Sequence, residues 1–198
     1  MVEKRLGGKT VRLVRGDITL AEADAFVHDI TGDCKLGSGY GGAIASRGGK
    51  AVQDELESIG ALPTGEAVLT RAGNLKAKHI IHVNGPKFHE PDTERKLTRA
   101  TEAALRLAEE HQIETLAFPP IGTGLYQVPL DLCARVMLSC IERHLAKADS
   151  RLRVVLLVAN DSRELAPLAA ALDKLAPAPA VGTPTPAAGA AQGERIRS

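Results

Sequence analysis

Short runs of β-branched and leucine residues alternate along this chain with longer stretches of helical period, and that alternation limits the folds open to it. Runs such as "VRLV" (Val11 to Val14) and "VVLLV" (Val154 to Val158) lack polar interruptions, which suits strands covered on both faces. Strands are expected at Thr10–Arg15, Ala25–His28, Glu66–Thr70, His79–Val83, Thr115–Phe118 and Arg153–Ala159. Between them, "TERKLTRATEAALRLAEEH" places Leu97, Ala100, Ala104 and Ala108 on one stripe, and "LDLCARVMLSCIERHL" does so with Val136, Cys140 and Ile141. "AIASRGGKAVQDELESIG" reads as one helical stretch, and "SRELAPLAAALDKL" as another with Ser162 as its N-cap. The pattern implies an α/β layered domain around a mixed, mostly parallel sheet. In such sheets ligands bind beyond the carboxyl ends of the strands, where loops enter helices.

The periodic part spans residues 8–176. From Pro177 the sequence, "PAPAVGTPTPAAGAAQGERIRS", has no hydrophobic period and cannot offset its ordering entropy by burial, so residues 177–198 are expected to be a disordered tail. A formal net charge of +1 removes the main electrostatic basis for bulk nucleic-acid binding. Cys34, Cys133 and Cys140 are an odd, sparse set without C-x-x-C spacing, which argues for a reducing, cytoplasmic setting rather than a disulfide framework. The histidines show no chelating spacing. His79 and His82 lie three apart in a strand-like run and so point to opposite faces; no metal is expected. No apolar run resembles a signal peptide or reaches membrane-spanning length.

Two glycine-rich segments stand where loops should enter helices: "GSGYGGAI" (Gly37 to Ile44) and "IGTGLYQVP" (Ile121 to Pro129). Glycines let backbone N–H groups approach an anion, and a following helix N-terminus adds a favourable dipole. Both tyrosines of the chain, Tyr40 and Tyr126, fall in these segments, although it has only five Phe, Tyr and Trp residues in all. Such placement fits a ligand carrying phosphates and rings; the alternative is that each ring anchors its loop on the core. Gly37, Gly39 and Gly42 match G-x-G-x-x-G, but "DITGDCKL" separates them from the nearest strand, and Asp54 and Glu55 lie in a helical pattern, so a dinucleotide fold does not fit.

Five motifs in order and spacing, "VRLVRGDIT", "ADAFV", "GSGYGGAI", "PTGEAVLTRAGNLKAKHIIHVNGP" and "LAFPPIGTGLYQVP", resemble the macro domain, an ADP-ribose-binding module, over residues 11 to about 172. The resemblance implies a three-layer α/β/α fold with a mixed, mostly parallel central sheet, ADP-ribose or an ADP-ribosylated substrate as the partner, and no cofactor. Nucleic acid enters only as an ADP-ribosylated substrate. By the resemblance, Asp17 accepts a hydrogen bond from the adenine amino group, Ile18 lines the adenine pocket and Asn160 contacts adenine. Gly37, Ser38, Gly39, Tyr40 and Gly41 form one ligand loop. Ile121, Gly122, Thr123, Gly124, Leu125 and Tyr126 form the other, around the diphosphate and distal ribose. From the residues alone, Asp17 also reads as a turn cap and Asn160 as a strand-end cap.

The pattern breaks where catalysis is usual. "HDIT" (His28 to Thr31) stands where many hydrolytic relatives carry N-A-A-N, so Thr31 takes the place of the asparagine that orients the distal ribose, and Gly41 that of the catalytic aspartate. A second branch uses a lysine and an aspartate; Ser46 or Arg47, and Tyr126, stand at those places, and arginine cannot serve as an amine nucleophile. His28 is similar to the histidine of two branches, one of them phosphatases acting on the distal ribose. It is suited to acid–base work or to binding a terminal phosphate, with Asp29 and Asp33 as carboxylates to orient it, or else to a purely structural role. The expected function is hydrolysis of an ADP-ribose derivative, at a distal-ribose phosphate monoester or an ADP-ribosyl linkage, with His28 and Thr31 as catalytic residues. Two alternatives stand beside it: a non-catalytic reader of free or attached ADP-ribose, and a module for another nucleotide.

Overall fold

A computed structural model describes residues 2–175; the tail expected at 177–198 lies outside the described residues. Seven strands form one sheet: β1 (Val2–Leu6), β2 (Lys9–Arg15), β3 (Ala25–Asp29), β4 (Ala67–Arg71), β5 (His79–Val83), β6 (Thr115–Phe118) and β7 (Val154–Ala159). Their spatial order is β1-β2-β7-β6-β3-β5-β4. The five central strands run parallel, and the edge strands β1 and β4 are antiparallel to their neighbours. The helices are α1 (Tyr40–Gly48), α2 (Lys50–Ile59), α3 (Thr93–Glu110), α4 (Leu130–Leu145) and α5 (Ser162–Asp173).

The sheet is covered on both faces, as its uninterrupted apolar strands require. On one face Phe26 and Ile80 pack with Ile44 of α1 and with Val52 and Leu56 of α2. On the other, Val27, Ile81 and Val155 pack with Leu97 and Ala104 of α3, Met137 and Ile141 of α4, and Leu168 of α5. This is the three-layer α/β/α arrangement.

Three expectations are corrected. Strand β1 was not anticipated: of "VEKRL" only Leu6 is buried, and an edge strand with one buried residue carries no legible alternation. The single helix expected after the first glycine loop is two, because Gly49 takes φ +86° and ends α1 before α2 begins. The cap of α5 is Asp161 rather than Ser162. The Asp161 carboxylate accepts from the Arg163 amide at 2.8 Å, while Glu164 reaches back to the amides of Asn160 and Asp161.

Candidate functional site

Strands β3 and β6 are neighbours, and the segments that leave their carboxyl ends go to opposite faces of the sheet, to α1 and α4 respectively. A crevice opens where winding reverses in this way. Here it is a cleft of about 300 Å³, lined by the first glycine loop (Gly37 to Gly41), the second (Gly122 to Tyr126), the end of β3 (His28 to Thr31), and Lys35, Pro119, Pro120 and Glu164. Both tyrosines line it, so the two loops that sequence sets far apart meet across one cavity.

The end of β3 organises the cleft because adjacent strand residues face opposite ways. His28 points toward α1: a Cβ placed on Gly41 would lie 3.6 Å from its Nε2. Asp29 points the other way, where its Oδ1 accepts from the Gly85 amide at 3.0 Å and its Oδ2 from the Gly122 amide at 2.8 Å. One carboxylate therefore ties the second glycine loop to the end of β5. Burial pushes the Asp29 carboxyl up to about 6 against the pull of those two amides. Burial likewise holds the His28 imidazole down to about 4, so His28 is neutral at pH 7.

Neither carboxylate expected to orient His28 does so. Asp29 faces away from it, and Asp33 receives the hydroxyl of Thr31. The partner of His28 is His82, directly across in the β3–β5 register, with the two Nδ1 atoms 3.1 Å apart and the rings edge-on. His82 in turn meets the Thr70 hydroxyl through Nε2 at 2.9 Å. The pairing of His82 with a cleft residue arises from strand register, which local sequence does not encode.

The first loop delivers α1 with its N-terminus toward the cleft. Gly39 caps that helix without any side-chain hydrogen bond, leaving its first amides for a ligand. In the second loop Gly122 adopts φ +77°, and its amide meets Asp29 while its carbonyl accepts from Val128 at 2.9 Å. Leu125 at the loop tip is 83% exposed and stands at the cleft mouth. Lys35 is the one lysine or arginine among the lining residues, beside the acidic Asp29 and Glu164. The cleft thus offers an anion backbone amides more than side-chain charge.

Four expected ligand residues do not line the cleft. Ile18 and Ile121 are fully buried in the two cores. Asp17 caps the turn Ile18–Leu20: its Oδ1 accepts from the Thr19 amide and hydroxyl, and Arg47 holds its Oδ2. Burial raises the Asp17 carboxyl, but hydrogen bonds from Arg47 and Thr19 outweigh it and leave it lowered. Asn160 follows β7, and its amide is taken by Glu164. Among the described residues no cluster of three or more His, Cys, Asp or Glu side chains is placed to hold a metal ion, and no helix is long and apolar enough to cross a membrane.

A family model described as "Macro domain" matches residues 27–137. The macro domain-containing protein TTE0995 of Caldanaerobacter subterraneus is 40% identical over 141 residues, which are 68% of this chain and 81% of that protein. A mutant of the Oceanobacillus iheyensis macrodomain, solved with ADPR, superposes with a TM-score of 0.83 at 26% identity, covering 88% of this chain and 97% of that one. The Trypanosoma brucei macrodomain in complex with ADP-ribose superposes with a TM-score of 0.76 at 25% identity, covering 81% and 68%. On the family match and on these likenesses together, the chain belongs to the macro domain family.

Proposed function

We propose that the cleft binds ADP-ribose and that the protein hydrolyses a bond at the distal ribose of an ADP-ribose derivative. The observation that carries this reading is the meeting of both glycine loops and both tyrosines around one cavity with His28 in its wall. The diphosphate lies against the amides that begin α1 and those of the second loop, where helix dipole and unpaired N–H groups favour an anion. Tyr40 and Tyr126 flank the ligand, and the distal ribose is directed toward His28 and Thr31. Solved relatives with ADPR and ADP-ribose support the ligand class. His28 is neutral and takes a proton from the attacking water as its oxygen bonds to the substrate and the bond to the leaving group breaks; the proton then passes to the leaving group. The three cysteines are free and buried, which fits a reducing, cytoplasmic setting.

A second reading, a reader without chemistry, has a specific observation in its favour. Both oxygens of Asp29, a carboxylate in the cleft wall, are held by backbone amides, and Gly41 offers no side chain. Calorimetry with ADP-ribose against AMP and ADP, followed by a panel of distal-ribose phosphate and ADP-ribosylated substrates, separates the cases. The hydrolase reading expects His28→Ala to bind within a fewfold of the native chain and to lose turnover by about 10²-fold or more. Tight ADP-ribose binding with no turnover on any panel member would leave the reader.

A further inference from the structure

The contacts around the histidine pair fit one proton order. The Thr70 hydroxyl carries one proton, and the carbonyl of Arg71, which can only accept, lies 3.0 Å from it. With the proton on that side the hydroxyl accepts from His82, whose Nε2 lies 2.9 Å away, and the His82 proton then sits on Nε2. A neutral imidazole with its proton there has a bare Nδ1. That bare Nδ1 faces the Nδ1 of His28 at 3.1 Å, a contact that needs one proton, which His28 must supply. In that order His28 carries its proton on Nδ1, and its Nε2, on the cleft side near Gly41, is a lone pair. His28 and His82 are 5% and 0% exposed, so the pair is insulated from water that would scramble the order. Among the described residues Nε2 of His28 takes no hydrogen bond.

We propose that Thr70 and His82 act as positioning residues that lock His28 as a hydrogen-bond acceptor in the cleft, and that this selects substrates whose distal ribose presents a free hydroxyl over those phosphorylated at that point. A ribose hydroxyl donates to a bare ring nitrogen. A phosphate near neutral pH is an acceptor with about −1.5 to −2 charge and meets that lone pair with repulsion. The inference rests on the ADP-ribose reading for the identity of the ligand, and it narrows the linkages considered there: ADP-ribosyl conjugates with an unphosphorylated distal ribose are substrates, and the phosphate monoester is not.

Nitrogen-15 NMR of the histidine rings in the full chain tests the lock without any substitution. The expected signature is His28 protonated on Nδ1 and His82 on Nε2; the reverse order would overturn the proposal. Calorimetry then compares ADP-ribose with ADP-ribose phosphorylated on the distal ribose. The unphosphorylated ligand is expected to bind at least about tenfold tighter, and equal or tighter binding of the phosphorylated one would also overturn it. Thr70→Val, which keeps the shape and removes the hydroxyl, is expected to mix the two tautomers and bring that ratio toward one. Thr70→Ser should restore both, and a Thr70→Val chain with the native ratio counts against the relay. A chain that binds neither ligand yet shows the stated tautomers would remove the ADP-ribose reading and leave the locked acceptor standing.

Discussion

His28 and Asp29 are consecutive at the end of one strand, His28 buried and Asp29 half-buried, and desolvation moves them in opposite directions. Their contributions to stability therefore oppose each other across one pH window. Burial puts the Asp29 carboxyl at about 6 in the folded chain against an ordinary value of 3.8, so the folded state binds the extra proton between them. Its contribution rises as pH falls from about 6 to about 4, by up to about 3 kcal/mol. His28 goes the other way: its folded value of about 4 lies below the ordinary value of 6.5, and stability is lost as pH falls through that range, by up to a similar ~3 kcal/mol. In urea unfolding, the stability difference between native and Asp29→Asn chains is expected to widen in favour of native on going from about pH 7 to about pH 5, and that between native and His28→Asn to shrink. Parallel pH profiles for all three chains would contradict both assignments. Gly122 supplies a second residue-scale prediction. With φ +77° and a would-be Cβ 2.8 Å from Val128 Cγ2, Gly122→Ala should cost roughly 1–3 kcal/mol and weaken ADP-ribose binding, as read by denaturant midpoint and calorimetry.

At the scale of elements, the first helical segment shows what a glycine pair decides. A periodicity argument runs α1 and α2 together, since the apolar positions Ile44, Val52 and Leu56 keep a common side. The chain separates them at Gly49, whose left-handed conformation turns α2 away. Gly49→Ala is expected to destabilise by roughly 1–2 kcal/mol, because an L side chain resists that φ and its Cβ would press on the Asn74 amide at 3.3 Å. Strand β1 is the complementary case. It was invisible to pattern because four of its five residues are not buried, yet it pairs along its whole length with β2 and buries Leu6. Deleting residues 2–6 should lower stability by roughly 2–4 kcal/mol and expose β2 as an edge, with increased association at high concentration by light scattering.

Across the whole molecule the two ends of the sheet are built differently. The carboxyl ends of the strands carry the cleft and its glycine loops. The amino ends are tied down by charged side chains on backbone groups. Lys9 donates to the carbonyls of Leu145 and Lys147 at 2.8 and 2.9 Å, and Asp24 accepts from the Glu114 and Thr115 amides. Glu109 gathers His144, Ser150 and the Arg151 amide. Removing Glu109 leaves three donors without their acceptor. Glu109→Ala should thus cost roughly 1–3 kcal/mol in unfolding while ADP-ribose affinity stays within about twofold, since the groups lie at opposite ends of the parallel strands. A matched loss of affinity would show that the ends are coupled.

Local sequence was enough for the central strands, the long helices, the two glycine loops and their tyrosines, because hydrophobic period and backbone freedom are properties of neighbouring residues. It also singled out His28 and both loops, which the fold brings to one cleft. It could not assign partners. That Asp29 braces the second loop rather than orienting His28, that Ile18 and Ile121 turn into the cores, that Arg47 holds Asp17, and that Thr70 and His82 order the protons of His28 all depend on strand register and on which face of the sheet a side chain takes. Those contacts join residues tens of positions apart. Only the packed sheet brings them within hydrogen-bonding distance, and only burial gives them the low dielectric that makes their protonation matter.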